Sequence, residues 1–185
     1  MITEETSLLE LATIVSEILE AEGVTATLAG GAAVSIYSEN KYQSKDLDFV
    51  TSAHVENLKV ALAKIGFQHT GKPRLSVFEH DHTDWYLEFP PGPLAFGNYY
   101  MDTAECELIE TGFGKLRVIS PTHSVMDRLT AAVAWDDKPS LEQAVLVAES
   151  VPRRIDWEQL ATWVEAEKIG RDAPVLEFYK RVQPK

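Results

Sequence analysis

The stretch LAGGAAVSIYSENKYQSKDLDFV, Leu28 to Val50, decides how the rest of the chain is read. It holds a glycine pair, Gly30-Gly31, a short helix-compatible run over Ala32 to Tyr37, a polar loop over Ser38 to Lys45, and then Asp46 and Asp48. The residues on either side are apolar and β-prone. Side chains of a strand alternate with a period of two, so Asp46 and Asp48 emerge on one face while Leu47 and Phe49 point to the other. Two carboxylates side by side repel each other unless a cation lies between them. An all-oxygen donor set of this kind suits a hard divalent ion, Mg²⁺ above all and Mn²⁺ as a substitute.

Working outward, the spacing predicts a first helix to about Glu22, capped by Thr3 or Thr6, with Leu8, Leu11, Val15 and Leu19 on one face and Gly23 as its stop. Val24 to Ala29 reads as a strand. Ser52 is the expected cap of a helix from about Ala53 to Lys64, ended by Gly66. The middle third reads as strands: Phe67–Thr70, Leu75–Glu79, Trp85–Phe89, Cys106–Ile109 and Lys115–Ile119. Pro90, Pro91 and Pro93 mark Pro90–Gly97 as a loop, because proline cannot serve a sheet interior. Ser120-Pro121 is a cap followed by proline at the first helical position, opening a helix to about Trp135. Three further helices follow, over Leu141–Glu149, after Asp156 and after Asp172. The fold class expected is α+β, with a mixed-sheet domain over residues 1–119 and a helical part over 120–185. Trp135, Trp157 and Trp163 are assigned to the core.

A third acid extends the pattern. In DWYLEFP, Asp84 to Pro90, alternation puts Asp84, Tyr86 and Glu88 on one face. If this strand lies beside Asp46–Thr51, either Glu88 or Asp84 converges on the same ions. No His or Cys spacing points to zinc, His80-Asp81-His82 reads as a turn, and Cys106 has no basic neighbour that would make it a nucleophile.

Composition narrows the partners. The 185 residues are 45% hydrophobic and 25% charged, as expected of one sizeable globular core, and the formal net charge is −12. That balance argues against an extended nucleic-acid surface, which needs clustered Lys and Arg, yet leaves room for a nucleotide held through a metal or for a basic protein partner. No run reaches the roughly 20 apolar residues of a membrane span, and the first residues lack a basic-then-apolar export signal. A cytoplasmic location is the expectation.

The glycine pair, the short helix, Asp-x-Asp on a strand and a lone acid on a later strand together resemble the DNA polymerase-beta-like nucleotidyltransferase superfamily. The likeness is strongest to its minimal bacterial members, of toxin–antitoxin and antibiotic-modifying type. It rests on LAGG (Leu28–Gly31), KDLDFV (Lys45–Val50) and LEFPPGPL (Leu87–Leu94), and spans roughly residues 24 to 150. Glu88 stands where the family more often carries Asp, and the spacer from Gly31 to Asp46 is longer than usual.

The resemblance implies that Asp46, Asp48 and Glu88 are catalytic and hold Mg²⁺, with Gly30 and Gly31 letting the backbone approach a triphosphate. Lys45 and Arg128 are candidates for nucleotide phosphates. The implied reaction moves a nucleoside monophosphate from an NTP to a hydroxyl acceptor and releases pyrophosphate, with two metal ions clamping the attacking and leaving oxygens. The competing expectation is a non-catalytic interaction protein on the same fold, such as one member of a toxin–antitoxin-like pair. A nucleotide-sugar transferase reading of Asp-Leu-Asp is disfavoured by the short chain and the glycine pair.

Overall fold

The computed structural model describes residues 2–70, 76–106 and 108–182. Its elements are α1 (Leu8–Ala21), β1 (Ala26–Ala29), α2 (Gly30–Tyr37), β2 (Asp46–Thr51), α3 (Val55–Ala63), β3 (Gln68–His69), β4 (Ser76–His80), β5 (Thr83–Phe89), β6 (Leu94–Phe96), β7 (Tyr99–Met101), β8 (Leu108–Thr111), β9 (Gly114–Arg117), α4 (Pro121–Trp135), α5 (Lys138–Ser150), α6 (Trp157–Glu167) and α7 (Ala173–Val182). This is an α+β protein. No described helix is long and apolar enough to cross a membrane. The chain divides into two compact units, residues 1–33, 43–94 and 101–119 forming the first, and residues 34–42, 95–100 and 120–185 the second.

The first unit is built on a five-stranded mixed sheet of order β1-β2-β5-β4-β3. β2 and β5 run parallel in the register Asp46↔Tyr86, Leu47↔Leu87, Asp48↔Glu88. The other neighbours are antiparallel, β4 and β5 meeting through the turn at His80-Asp81-His82. Alternation sends Leu47, Phe49, Leu87 and Phe89 to the apolar face, where all four are buried. There Phe49 stacks on Phe89 with centroids 6.0 Å apart, and Phe78 meets Phe89 edge-to-face at 5.4 Å. Leu11, Val15 and Leu19 of α1, with Leu58 and Leu62 of α3, bury the matching helical stripes.

The second unit is helical. Ser120 caps α4 by accepting from the His123 N–H at 3.1 Å, and Asp156 caps α6 by accepting from the Gln159 N–H at 2.9 Å. Met126 and Leu129 of α4, Val145 and Ala148 of α5, Leu160 and Trp163 of α6, and Phe178 of α7 are buried. Arg181 of α7 grips both oxygens of Glu142 on α5, at 2.6 and 2.8 Å.

The structure departs from the sequence reading in several places. Thr6 accepts from the Thr3 N–H at 2.9 Å in the preceding turn, so the cap of α1 passes to Ser7, which accepts from Glu10 N–H at 3.3 Å. α2 starts on the glycines themselves, two residues earlier than expected. His54, not Ser52, is the N-cap residue of α3, and it makes no side-chain cap bond. The proline-rich segment is only partly a loop. Its last proline is Pro93, and from Leu94 onward the backbone regains its donors, so Leu94–Phe96 forms β6 with Leu94 and Phe96 buried on alternate positions. Cys106 lies in a bend before β8. The expected start of the second middle strand at Leu75 lies outside the described residues, as does Glu107. Trp135 is not core: it ends α4 with 81% of its surface exposed, whereas Trp163 is 4% exposed.

Phe78 fills the centre of the aromatic cluster with no exposed surface. Phe78→Ala is expected to lower stability by about 3–5 kcal/mol. Val60→Ala, at an exposed site on α3, should stay within about 0.5 kcal/mol of the parent. Urea unfolding of both variants measures the contrast.

Candidate metal and nucleotide site

Asp46 and Asp48 project from the face of β2 opposite its buried Leu47, as alternation requires. The parallel register then places Glu88 of β5 beside Asp48. One carboxylate oxygen from each of Asp46, Asp48 and Glu88 lies within 4.8 Å of the other two, and all three residues are half-buried. Among the described residues this is the one group of three or more His, Cys, Asp or Glu side chains whose ligand atoms converge in this way. Asp84, the alternative on the same strand face, is exposed and stands outside the group.

The donor set fits a divalent cation. Three carboxylates at this spacing repel one another in a partly desolvated setting, and neither Asp46 nor Glu88 pairs with a Lys or Arg among the described residues. Hard oxygen ligands grouped this closely are what Mg²⁺ or Mn²⁺ requires.

Two hydroxyls fix the first acid. Ser44 Oγ donates to Asp46 Oδ1 at 2.8 Å, and the Tyr86 hydroxyl donates to Asp46 Oδ2 at 3.3 Å. Burial pushes the Tyr86 phenol above the usual tyrosine range, and the Asp46 charge and hydrogen bond, with Glu88 and Asp48, add to the rise. Ser44 and Tyr86 were not singled out from sequence. Their signal was a hydroxyl two residues before Asp46, in the loop that leads into β2, and another two before Glu88, on the strand face that alternation already defines.

Gly30 answers two constraints at once. Its φ of +60° belongs to the left-handed region, and a Cβ there would overlap Asp48 Oδ2. The tight approach follows from the antiparallel register Ala29↔Asp48, which delivers the chain to α2 directly beside the second acid. Gly31 occupies the first turn of α2, the end at which the helix dipole favours anions.

The remaining candidates have ordinary surroundings. Lys45 is exposed beside Asp46. Arg128, in the second unit, donates to Asp127 Oδ2 through Nη2 at 2.6 Å and Nε at 3.1 Å, and to Gln143 Oε1 at 3.3 Å. Cys106 is buried, and burial pushes its thiol up to about 11, which keeps it protonated and unreactive near neutrality.

No family model and no curated protein matches the sequence. Solved structures do. The antibiotic-resistance factor ANT(2'')-Ia aligns over 96% of this chain and 99% of its own, with a TM-score of 0.57 at 15% identity. An antigenic nucleotidyltransferase-like protein from Paracoccidioides brasiliensis aligns over 97% and 94%, with a TM-score of 0.61 at 12% identity. The lincosamide antibiotic adenylyltransferase LnuA, in its lincomycin-bound form, aligns over 75% and 96%, with a TM-score of 0.50 at 19% identity. Identities this low establish the fold alone: the chain shares the fold of these three structures.

Proposed function

We propose that the protein is a nucleotidyltransferase that uses Mg²⁺ or Mn²⁺ to move a nucleoside monophosphate from an NTP to a hydroxyl acceptor. The observation that carries this reading is the convergence of Asp46, Asp48 and Glu88 within 4.8 Å on adjacent parallel strands. The fold shared with ANT(2'')-Ia and LnuA supports it.

Each residue has a role that its position suits. Asp46, Asp48 and Glu88 would hold the cation, and a divalent ion bound there would neutralise charge on the phosphates and on the attacking and leaving oxygens. Ser44 and Tyr86 keep the Asp46 carboxylate in one orientation, so little reorganisation is needed on binding. Gly30 clears space against Asp48, and the amides that open α2 are donors for phosphate oxygens. Glu88, on the strand beside the two aspartates, is the carboxylate assigned to orient the acceptor hydroxyl and receive its proton. The acceptor oxygen then bonds to the α-phosphorus, and the bond from that phosphorus to the bridging oxygen breaks to release pyrophosphate. Positioning and charge neutralisation supply most of the rate in phosphoryl chemistry of this kind.

Two outcomes follow. Mg²⁺ or Mn²⁺ at about 100 times its dissociation constant should stabilise the fold by about 2.7 kcal/mol, and this gain should vanish in Asp46→Asn and Asp48→Asn. Thermal unfolding with and without metal checks it. Incubation with α-³²P-labelled NTPs, metal, and small-molecule, RNA or protein fractions of a lysate should yield a labelled product and pyrophosphate. Asp48→Asn should reduce that yield by about 100-fold or more. Undiminished transfer by Asp48→Asn would sink the reading.

A further inference from the structure

The second unit contains a cleft of about 540 Å³ that the acid group of the first unit does not account for. α6 lines much of it, and Asn98 and Tyr99 from the turn and start of β7 complete it. Tyr99 belongs to a stack of flat rings. Phe96 and His123 lie 5.2 Å apart at 7°, and Tyr99 sits 6.2 Å from Phe96 and 6.1 Å from His123, at 23° and 18°. Trp163 reaches the wall of the cleft with only 4% of its surface exposed, and its indole N–H donates to the Phe96 carbonyl at 2.9 Å.

The charge in the cleft has one sign. Asp156, Glu158 and Glu167 line it, and no Lys, Arg or His does. None of the three carboxylates pairs with a Lys or Arg among the described residues. Asp156 and Glu158 open α6, where acids complement the helix dipole, so those two have a local explanation. Glu167 does not. It is the last residue of α6, the end at which the dipole opposes an anion. It is nevertheless held in place. The Asn98 backbone N–H donates to its two oxygens at 2.9 and 3.0 Å, and Asn98 Nδ2 donates to Oε2 at 2.9 Å. Gly97, at φ +68°, leaves the room that a Cβ would take from this carboxylate. These bonds fix the negative charge without neutralising it.

We propose that this cleft binds a small organic cation, an ammonium-bearing molecule with a planar, apolar ring body. The ring would lie against the exposed Tyr99, and the ammonium would meet Asp156 and Glu158 at the start of α6, with Glu167 keeping the far end of the cleft negative. Aromatic faces attract cations, and a largely apolar cleft with a few fixed polar groups is the usual form of a small-molecule site. The proposal is independent of nucleotide transfer, since it concerns binding to the second unit, and its test uses no nucleotide.

Three indoles of nearly equal shape serve as probes: tryptamine (cationic), tryptophol (neutral) and indole-3-propionate (anionic). Titration into the ¹⁵N-labelled full chain follows the Trp163 indole N–H resonance, with calorimetry for affinity. Tryptamine is expected to bind about tenfold more tightly than tryptophol, to shift the Trp163 signal, and to weaken as salt is raised. Indole-3-propionate should show no binding. Asp156→Asn with Glu158→Gln, both at exposed positions and with Asn still able to cap α6, should cost tryptamine about tenfold and leave tryptophol unchanged. Tyr99→Leu keeps the charges and should weaken both ligands. Equal affinity for tryptamine and tryptophol, a Trp163 signal that does not move, or indifference of tryptamine to the double substitution would overturn the proposal. The last result would show that the net charge of −12, and not this cleft, attracts the cation.

Discussion

Three carboxylates brought within 4.8 Å of one another are the constraint around which the first unit is organised. Like charges at that range destabilise a fold unless a cation relieves them, so the backbone has to hold them together. Here the parallel pairing of β2 with β5 does this. It sets Asp48 against Glu88, while the buried Leu47 and Leu87 on the opposite face lock the register. A slip by one residue would turn the acids into the core and the leucines outward. The Ser44 and Tyr86 hydroxyls on Asp46, and the absence of a Cβ at Gly30 beside Asp48, then shape the group into a site.

Much of this was legible in the sequence because two periodicities carried it. The alternation in Asp46–Val50 and in Asp84–Phe89 named the acid face of each strand, and β2 starts at Asp46 as expected. What alternation could not supply was pairing. β5 becomes the parallel neighbour of β2 only because the β3 and β4 strands between them in sequence lie on its far side in the sheet. The choice between Asp84 and Glu88 therefore waited on the register. Tyr86 was hidden for the same reason, since its hydroxyl meets Asp46 only across the β2–β5 pairing, whereas the Ser44 bond to Asp46 is local and depends on the bend of the loop before β2.

The misreadings also have physical causes. Proline bars only its own position and restrains the residue before it, so Leu94–Phe96 could still form β6. Thr6 was a sound cap by residue type, but its hydroxyl is engaged by the Thr3 N–H and Ser7 takes the role. Trp135 sits at a helix end, where its bulk says nothing about whether a neighbour covers it. In the second unit the carboxylates of α6 look like an ordinary solvated helix in sequence. Their distinction comes from Asn98 and Tyr99, contributed by a segment far upstream.

The function proposed for the first unit requires Asp46, Asp48 and Glu88 to act together on the metal-bound triphosphate of an NTP. The most direct test is a crystal soaked with Mn²⁺ and a non-hydrolysable NTP analogue, read by anomalous diffraction. Manganese peaks ligated by all three carboxylates are expected, with phosphate density running from them toward Gly30 and Gly31. Manganese and nucleotide bound elsewhere, with the three carboxylates unliganded, would contradict it.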